Sequence, residues 1–414
     1  MNNEKENLYR ERQRRFDDVI ALRVPDRVPV TAGFYFFPAR YYGYTVKDVM
    51  YDPQRFVDVH LRAALEFQPD FCQNLIGSIF LGPLLDAVDY RQGRWAGRQL
   101  EPDVPFQFVE GEYMKAEEYD HFFSDPRDFI ARVYWPRVFG ALEPLKRLPP
   151  LRNVMTFTTF DVFAIFAAPE MRDVLDAMKE AGRAMEQIGH YSGVYEERMK
   201  EEGFPTLGGG FALAPFDRLG DHLRGMKGIM LDMYRRPAAV LKAVEMLLPL
   251  EIERTVTLGR MVKGRFVHIP LHKGLDGFMS PAQFEKFYWP TLRELIVSLI
   301  DEGLTPHVFW EGDCTSRLHL INDIPPGKAI YRFEATDIFK AKDTLRDRVC
   351  IRGNVPISLL VTATPEDVKA YCKKLINYVG KDGGLIVDAS AGVDNAKPDN
   401  LLAMFEFSRE YGTY

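Results

Sequence analysis

Polar and acidic side chains follow three short apolar runs in the last quarter of this 414-residue chain. The runs cover residues 305–310, 349–352 and 384–387, and the polar residues just beyond their ends include Glu311, Asp313, Asn354 and Asp388. Carboxylates and amides at such positions can transfer protons, orient a substrate or bind a metal ion. We therefore predict catalytic roles for the three carboxylates and substrate contact for Asn354.

Arg317 follows soon after Glu311 and Asp313. One interpretation is that Arg317 binds an anionic group of the substrate or holds the carboxylate of Glu311. The alternative is structural, with Asp313 capping a helix and Glu311 paired with Arg317. Asp388 could also form a carboxylate cluster with Glu311, which would raise the pKa of one carboxyl group and favour proton transfer or a divalent metal.

Other candidate residues lie near the ends of earlier predicted strands. His272 ends the run 266–271 and is predicted to act as an acid, a base or a ligand. His307 lies inside an apolar run, where the roles of core histidine and metal ligand are both open. Tyr35 and Arg40 belong to an aromatic loop that we expect to close over a ligand.

The elements that must position these residues alternate between strands and helices. Further strands are predicted at 27–31, 71–76 and 266–271, and helices at 8–22, 281–302, 338–347, 365–379 and 397–411. Repeated strand–helix units imply a parallel sheet, and in a closed barrel the active site lies at the C-terminal ends of its strands. We predict a single α/β domain over 1–414 with a helical insertion at 115–203, which would serve as a cap or a dimer contact.

Composition excludes several classes of function. The net charge of −6 argues against a general nucleic-acid binder, and no apolar run is long enough to span a bilayer. The polar N-terminus does not resemble a secretion signal. The four cysteines are far apart, which is typical of reduced thiols, and Cys314 is expected to be buried. We therefore predict a cytoplasmic protein without nucleic-acid or membrane partners.

Several segments resemble the uroporphyrinogen decarboxylase superfamily, which includes cobalamin-dependent methyltransferases. They are 214–219 (APFDRL), 224–234 (RGMKGIMLDMY), 279–288 (MSPAQFEKFY), 353–356 (GNVP), 364–366 (TPE) and 397–400 (KPDN). The resemblance covers roughly 25–80 and 205–412 and implies a distorted (β/α)8 barrel of the TIM type. It also implies that cobalamin, free or on a corrinoid carrier protein, lies across the barrel mouth.

The chain departs from the superfamily at two functional positions. The methyltransferases hold zinc with a His-x-Cys pair, which corresponds here to Phe309 and Glu311. A zinc site would therefore have to be rebuilt, for example from Glu311, His307 and Cys314. The decarboxylase grips its substrate with arginines of one loop, of which only Arg40 corresponds here.

We expect a corrinoid-linked methyltransferase that moves a methyl group between a small molecule or thiol and cobalamin. The alternative is a uroporphyrinogen or other polycarboxylate decarboxylase of porphyrin biosynthesis, which would need several arginines at the mouth. A third reading is a barrel retained as a binding module, against which the polar tips of three separate strands argue.

Overall fold

Eight short parallel strands form the centre of the molecule. The computed structural model describes residues 3–150, 157–262 and 264–414. The strands are β2 (Cys72–Gln73), β3 (Thr206–Leu207 and Gly209–Phe211), β4 (Phe266–Leu271), β5 (Thr305–Trp310), β6 (Ile330–Phe333), β7 (Cys350–Arg352) and β8 (Leu385–Ile386). The segment 28–31, which forms a single parallel bridge at Val30, takes the place of the first strand and is called β1. Strands β3 to β8 form one parallel sheet in chain order, and β2 pairs with β3.

Residues 28–31 close this sheet into a ring. Val30 forms a parallel bridge with Val387, just after β8, and its carbonyl oxygen accepts a hydrogen bond of 2.9 Å from the amide of Asp70, just before β2. The closed ring confirms the predicted (β/α)8 barrel.

Helices surround the ring. Those that follow the later strands are Pro215–Asp217, Gly225–Arg235, Pro237–Val262, Pro281–Gln283, Trp289–Asp301, Ile338–Leu345, Ile357–Thr362, Pro365–Tyr378 and Pro398–Tyr411. Those of the first half are Asn3–Ile20, Phe37–Tyr41, Val46–Tyr51, Pro53–Phe67, Ile76–Ile79 and Gly82–Val88. Segments of π-helix at Arg218–Arg224 and Phe284–Tyr288 interrupt the regular turns. None of the described helices is both long and apolar enough to cross a membrane.

Differences from the predicted elements are local. The segment predicted as a strand over 71–76 is a strand only at Cys72–Gln73 and turns into helix at Ile76–Ile79. Strand β6 was not predicted. The described part of 115–203 contains helical segments at 116–124, 126–138, 140–147, 157–167 and 169–201. Its role as a cap or dimer contact stays a prediction.

The barrel interior is layered, because alternate residues of a strand point to the same side. An apolar layer closes the N-terminal end, where the helix Asn3–Ile20 packs against the first residues of the strands. Its members are Phe16, Val19, Ile20, Phe71, Phe266, Ile330, Cys350 and Ile386. Two residues further along their strands, Arg332, Arg352 and Asp388 face the same interior. The next layer is therefore charged.

Asp70 fastens the closing strand to its neighbours. This fully buried carboxylate accepts hydrogen bonds from Arg15 (2.6 Å), from Arg27 (2.7 and 2.8 Å) and from the amide of Val30 (2.8 Å). It thus joins the N-terminal helix, β1 and the start of β2.

We expect Asp70→Ala to lower the free energy of unfolding by about 3–5 kcal/mol, because it leaves two arginines and a buried amide without their acceptor. The matched control is Asp26→Ala, since Asp26 is half-exposed and Arg15 keeps its bond to Asp70. The control should cost less than about 1 kcal/mol. Urea unfolding measures both, and equal losses would show that Asp70 does not hold the closure.

Candidate active site

The tips of β4 and β5 emerge side by side at the barrel mouth. The two strands pair over their whole length, from Phe266 opposite Thr305 to Leu271 opposite Trp310. The next residues along the chain are His272 and Glu311. Their side chains are each 36% exposed, and His272 Nε2 lies 3.7 Å from Glu311 Oε1. Two of the residues predicted to be catalytic therefore meet at a surface that a ligand can reach.

Asp217 fixes the backbone of the β4 tip. It is fully buried and accepts hydrogen bonds from the amides of His272 and Lys273, both at 3.0 Å, and from the hydroxyl of Tyr288 at 2.6 Å. Burial and the negative charge of Asp221 raise the pKa of Asp217 to about 6. Asp217 is thus a positioning residue, because it fixes the backbone from which the side chain of His272 extends.

Asp221 orients the imidazole itself. Its Oδ2 lies 2.6 Å from Nδ1 of His272, and its other oxygen pairs with Lys273, which is buried. Burial by itself would lower the pKa of His272, but the hydrogen bond to Asp221 and the negative charges of Asp217 and Glu311 raise it to about 9. At neutral pH His272 is therefore a cation held with Nε2 toward Glu311.

Burial acts on the pKa of Glu311 in the opposite direction from its effect on His272. Burial raises its pKa to about 7, opposed by the charge of His272 and supported by that of Glu334. A carboxyl group with this pKa exchanges its proton at neutral pH, which is what general acid–base catalysis requires. The pair can therefore deliver or accept a proton at the barrel mouth.

Below this pair lies the charged layer. Asp388 is fully buried, and its Oδ2 lies 2.8 Å from Arg352 Nε and 3.1 Å from Arg332 Nε. His307 is also buried, with Nε2 3.2 Å from Nη1 of Arg352. The expectation that Asp388 forms a carboxylate cluster with Glu311 is wrong, because Asp388 is bound to the two arginines instead.

Asp313 and Arg317 belong to local structure. Asp313 is exposed, and its Oδ1 accepts bonds from the amide (2.8 Å) and the hydroxyl (2.6 Å) of Thr315. Arg317 is buried and binds Asp276 and the carbonyl oxygen of Met279. The expected pair between Glu311 and Arg317 is therefore not formed. A direct role of Arg317 in substrate binding would require it to leave Asp276.

The remaining predicted substrate contacts lie around the mouth. Asn354 donates to the carbonyl oxygens of Glu334 (3.3 Å) and Thr336 (3.2 Å) and accepts from Tyr371, and it lines a groove of about 710 Å³. Its amide group thus holds the strand tips together.

Tyr35 is half-buried, and burial raises the pKa of its hydroxyl. The nearby charge of Arg332 lowers that pKa and the charge of Glu311 raises it. Arg40 binds Asp103 and the side chain of Asn395 (2.9 Å), so it joins loops at the rim.

The residues proposed for zinc do not meet. Glu311 faces His272, whereas His307 pairs with Arg352. Cys314 is buried, and burial raises the pKa of its thiol to about 12, which opposes the thiolate that zinc requires. Within the described ranges, no three His, Cys, Asp or Glu side chains are grouped as metal ligands. The set Glu311, His307 and Cys314 therefore does not fit a zinc ion.

Sequence reasoning missed five residues of the site, namely Asp217, Asp221, Lys273, Arg332 and Arg352. Asp217 and Asp221 stand four residues apart directly after β3, a spacing that could have indicated two carboxylates on one helical face. Arg332 was missed because the strand that carries it was not predicted. Arg352 ends a run that was predicted, so its position two residues before Asn354 was a usable signal.

Comparisons with known proteins agree with this architecture. The model of the uroporphyrinogen decarboxylase (URO-D) family matches residues 197–411. Among curated proteins, the uroporphyrinogen decarboxylase of Chlorobium phaeovibrioides is 27% identical over 139 residues, which is 32% of this chain and 38% of that protein. The enzyme of the same name from Chlorobium phaeobacteroides is 26% identical over 192 residues, 43% of this chain and 51% of that protein. This chain therefore spans about half or less of the curated relatives it matches.

A solved structure extends the likeness to the whole chain. A methyltransferase from Methanosarcina mazei superposes with a TM-score of 0.61 over 96% of this chain and 98% of that one. At 13% sequence identity this similarity establishes the fold alone.

The fold places this chain in the β/α-barrel class. The family model matches residues 197–411, and this match identifies the family. The matched range includes strands β3 to β8 and the four side chains Asp217, Asp221, His272 and Glu311. The chain belongs to the uroporphyrinogen decarboxylase family.

The high pKa of His272 depends on Asp221. Asp221→Asn removes the negative charge at Nδ1, so we expect the pKa of His272 to fall by at least about one unit from its value near 9. An NMR titration of the histidine ring protons measures this directly. Asp128→Asn, which alters the equivalent contact of His121 (2.8 Å), is the matched control and should leave His272 unchanged. An unaltered His272 in Asp221→Asn would contradict the assignment.

Proposed function

We propose that this protein is a corrinoid-linked methyltransferase in which Glu311 transfers the proton that the reaction requires and His272 stabilises the Glu311 carboxylate. The observation that carries the proposal is the half-exposed pair at the barrel mouth, with one group that titrates near 7 and a neighbouring cation. When a methyl group leaves a neutral oxygen, nitrogen or sulfur atom as a cation equivalent, that atom keeps the electron pair and requires a proton. The pair is suited to supply it.

Glu311 acts as the general acid in this proposal. As the methyl group departs, the electron pair of its bond stays on the heteroatom, and the carboxyl group of Glu311 donates its proton to that atom. The cationic His272, 3.7 Å away, then stabilises the carboxylate that remains. In the opposite direction the carboxylate would accept a proton from a thiol or hydroxyl acceptor.

The mouth offers aromatic surface for a corrinoid, supplied free or by a carrier protein. Phe211, at the end of β3, is 42% exposed, and Tyr35 is half-buried above the interior. Both would contact a large flat ring. When bound, a corrinoid supplies a cobalt centre that can take up and give back a methyl group.

Polycarboxylate decarboxylation is the alternative, because the curated relatives are named uroporphyrinogen decarboxylases. The two arginines predicted at the mouth, Arg40 and Arg317, argue against a substrate with many carboxylates. Arg40 is bound to Asp103, and Arg317 is buried against Asp276, so neither is free at the mouth. A site for several carboxylates would need free arginines.

The test of the proposal is a direct assay of both reactions. Purified protein is incubated with methylcobalamin and candidate thiol acceptors, or with cob(I)alamin and methylated donors, and the corrinoid spectrum is followed. We expect Glu311→Gln to lower the rate by at least about 100-fold, because proton transfer is lost. Glu366→Gln, an exposed glutamate on the outer helix Pro365–Tyr378, should leave the rate unchanged.

Decarboxylation of uroporphyrinogen is measured on the same preparations. A spectral change with the corrinoid and none with uroporphyrinogen supports methyl transfer. Decarboxylation without any corrinoid reaction, or a Glu311→Gln variant as active as the wild type, would overturn the proposal.

The pH dependence follows from the raised pKa of Glu311. If Glu311 is the acid in demethylation, kcat/KM should be constant at low pH and fall as the pH rises through about 7. The falling limb should disappear in Glu311→Gln, whatever its residual rate. A limb that rises through pH 7 instead would show that the carboxylate, and not the acid, is the active form.

A further inference from the structure

The charged layer inside the barrel holds more positive than negative charge. Arg332 and Arg352 have only 3% and 0% of their side chains exposed, and both lie within 3.1 Å of the same oxygen of Asp388. Two guanidinium groups and one carboxylate leave a surplus of one positive charge. Barrel interiors are ordinarily filled by Val, Ile and Leu, so this layer departs from what stability alone would select.

Neighbouring histidines do not alter the surplus. Burial and the nearby arginines lower the pKa of His268 to about 3 and that of His307 well below its usual value, so both rings are neutral. An uncompensated buried charge costs several kcal/mol. The layer is therefore prepared for an anion.

Some buried polar atoms around the charged layer have no hydrogen-bond partner within the described ranges. In the part of the chain that the structure describes, Arg352 Nη2, His268 Nδ1 and Gln73 Oε1 are buried without a hydrogen-bond partner. Beside them stands Gly33, where an added Cβ would come within 2.8 Å of Gln73 Oε1 and 3.8 Å of Arg332 Nη2. The side-chain oxygen of Gln73 therefore approaches the backbone of Gly33 beside the Arg332 guanidinium, and a larger residue at position 33 would displace it.

The layer lies directly below the proton-transfer pair. Arg332 stacks on the ring of Phe309 at 4.5 Å, and Phe309 precedes Glu311 by two residues on the same face of β5. The charge of Arg332 also reaches Glu311, where it lowers the pKa. A ligand with one end at Arg332 would place its other end near Glu311.

We propose that Arg332 and Arg352 bind the carboxylate of a small molecule whose apolar part lies along Phe309. Guanidinium groups match a carboxylate in shape and charge, and one anion would cancel the surplus. Asp388 keeps the two arginines in place, and its free oxygen Oδ1 accepts from a hydroxyl of the ligand or from water. That this ligand is the methyl-transfer substrate rests on the proposed function, whereas its binding does not.

Calorimetric titration tests the site with benzoate and acetate against their neutral counterparts benzamide and acetamide, in a buffer free of carboxylate and phosphate. We expect one benzoate per chain, with benzamide at least about tenfold weaker, because only the anion cancels the buried charge. Arg332→Met leaves Arg352 and Asp388 as a balanced pair. It should weaken benzoate at least about tenfold and leave benzamide unchanged.

Arg62→Met is the matched control, since Arg62 is an exposed arginine stacked on Tyr42, and it should bind benzoate like the wild type. Equal affinities for each anion and its amide, or no binding of either anion, would overturn the site. If Arg332→Met does not fold, the test rests on the ratio of benzoate to benzamide affinity in the wild type and on the benzoate affinity of Arg332→Lys. No turnover is measured, so a protein that selects benzoate but transfers no methyl group refutes only the proposed function.

Discussion

The closure of the barrel at residues 28–31 is the constraint on which the other features depend. This segment has only four residues, and both of its edges are joined to neighbouring strands. Asp70 provides this fastening, because its buried carboxylate binds Arg15, Arg27 and the amide of Val30. Closure brings the loop after β1, with Tyr35, over the interior that β5 to β8 line. Without it, the charges of that interior would face solvent and would lose most of their influence on one another.

Burial then determines the chemistry of the mouth. The same low-dielectric surroundings that raise the pKa of Glu311 would lower that of His272, and only the carboxylates beside the imidazole reverse this. Because Asp217 holds the backbone and Asp221 holds the ring, the cation stays within 3.7 Å of Glu311. Arg332, in the charged layer below, adds a positive potential that favours the ionised form of Glu311. Its proton affinity is therefore a balance between burial on one side and two cationic groups on the other.

The sequence allowed the barrel and part of this site to be predicted, and the limits have physical causes. Strand β5 was predicted with its observed bounds, because an apolar run bounded by polar residues is a local signal. Glu311 and His272 could be placed for the same reason, since each follows such a run. Arg332 could not, because its strand mixes charged and aromatic residues, and a buried arginine is stable there only through Asp388, a partner 56 positions away. Pairing over that distance leaves no trace in a single sequence.

Family membership and local chemistry carry different information here. The fold is shared across 96% of the chain with a methyltransferase at 13% identity, so the barrel tolerates replacement of nearly every side chain. What the scaffold retains is the meeting of strand tips at one mouth. In this chain the tip of β5 ends in Glu311, and its neighbour at the mouth is the imidazolium of His272. A carboxyl group poised near neutral pH is a proton carrier in its own right. The position of that carboxyl group follows from the scaffold, whereas its proton affinity follows from the side chains that this chain places around it.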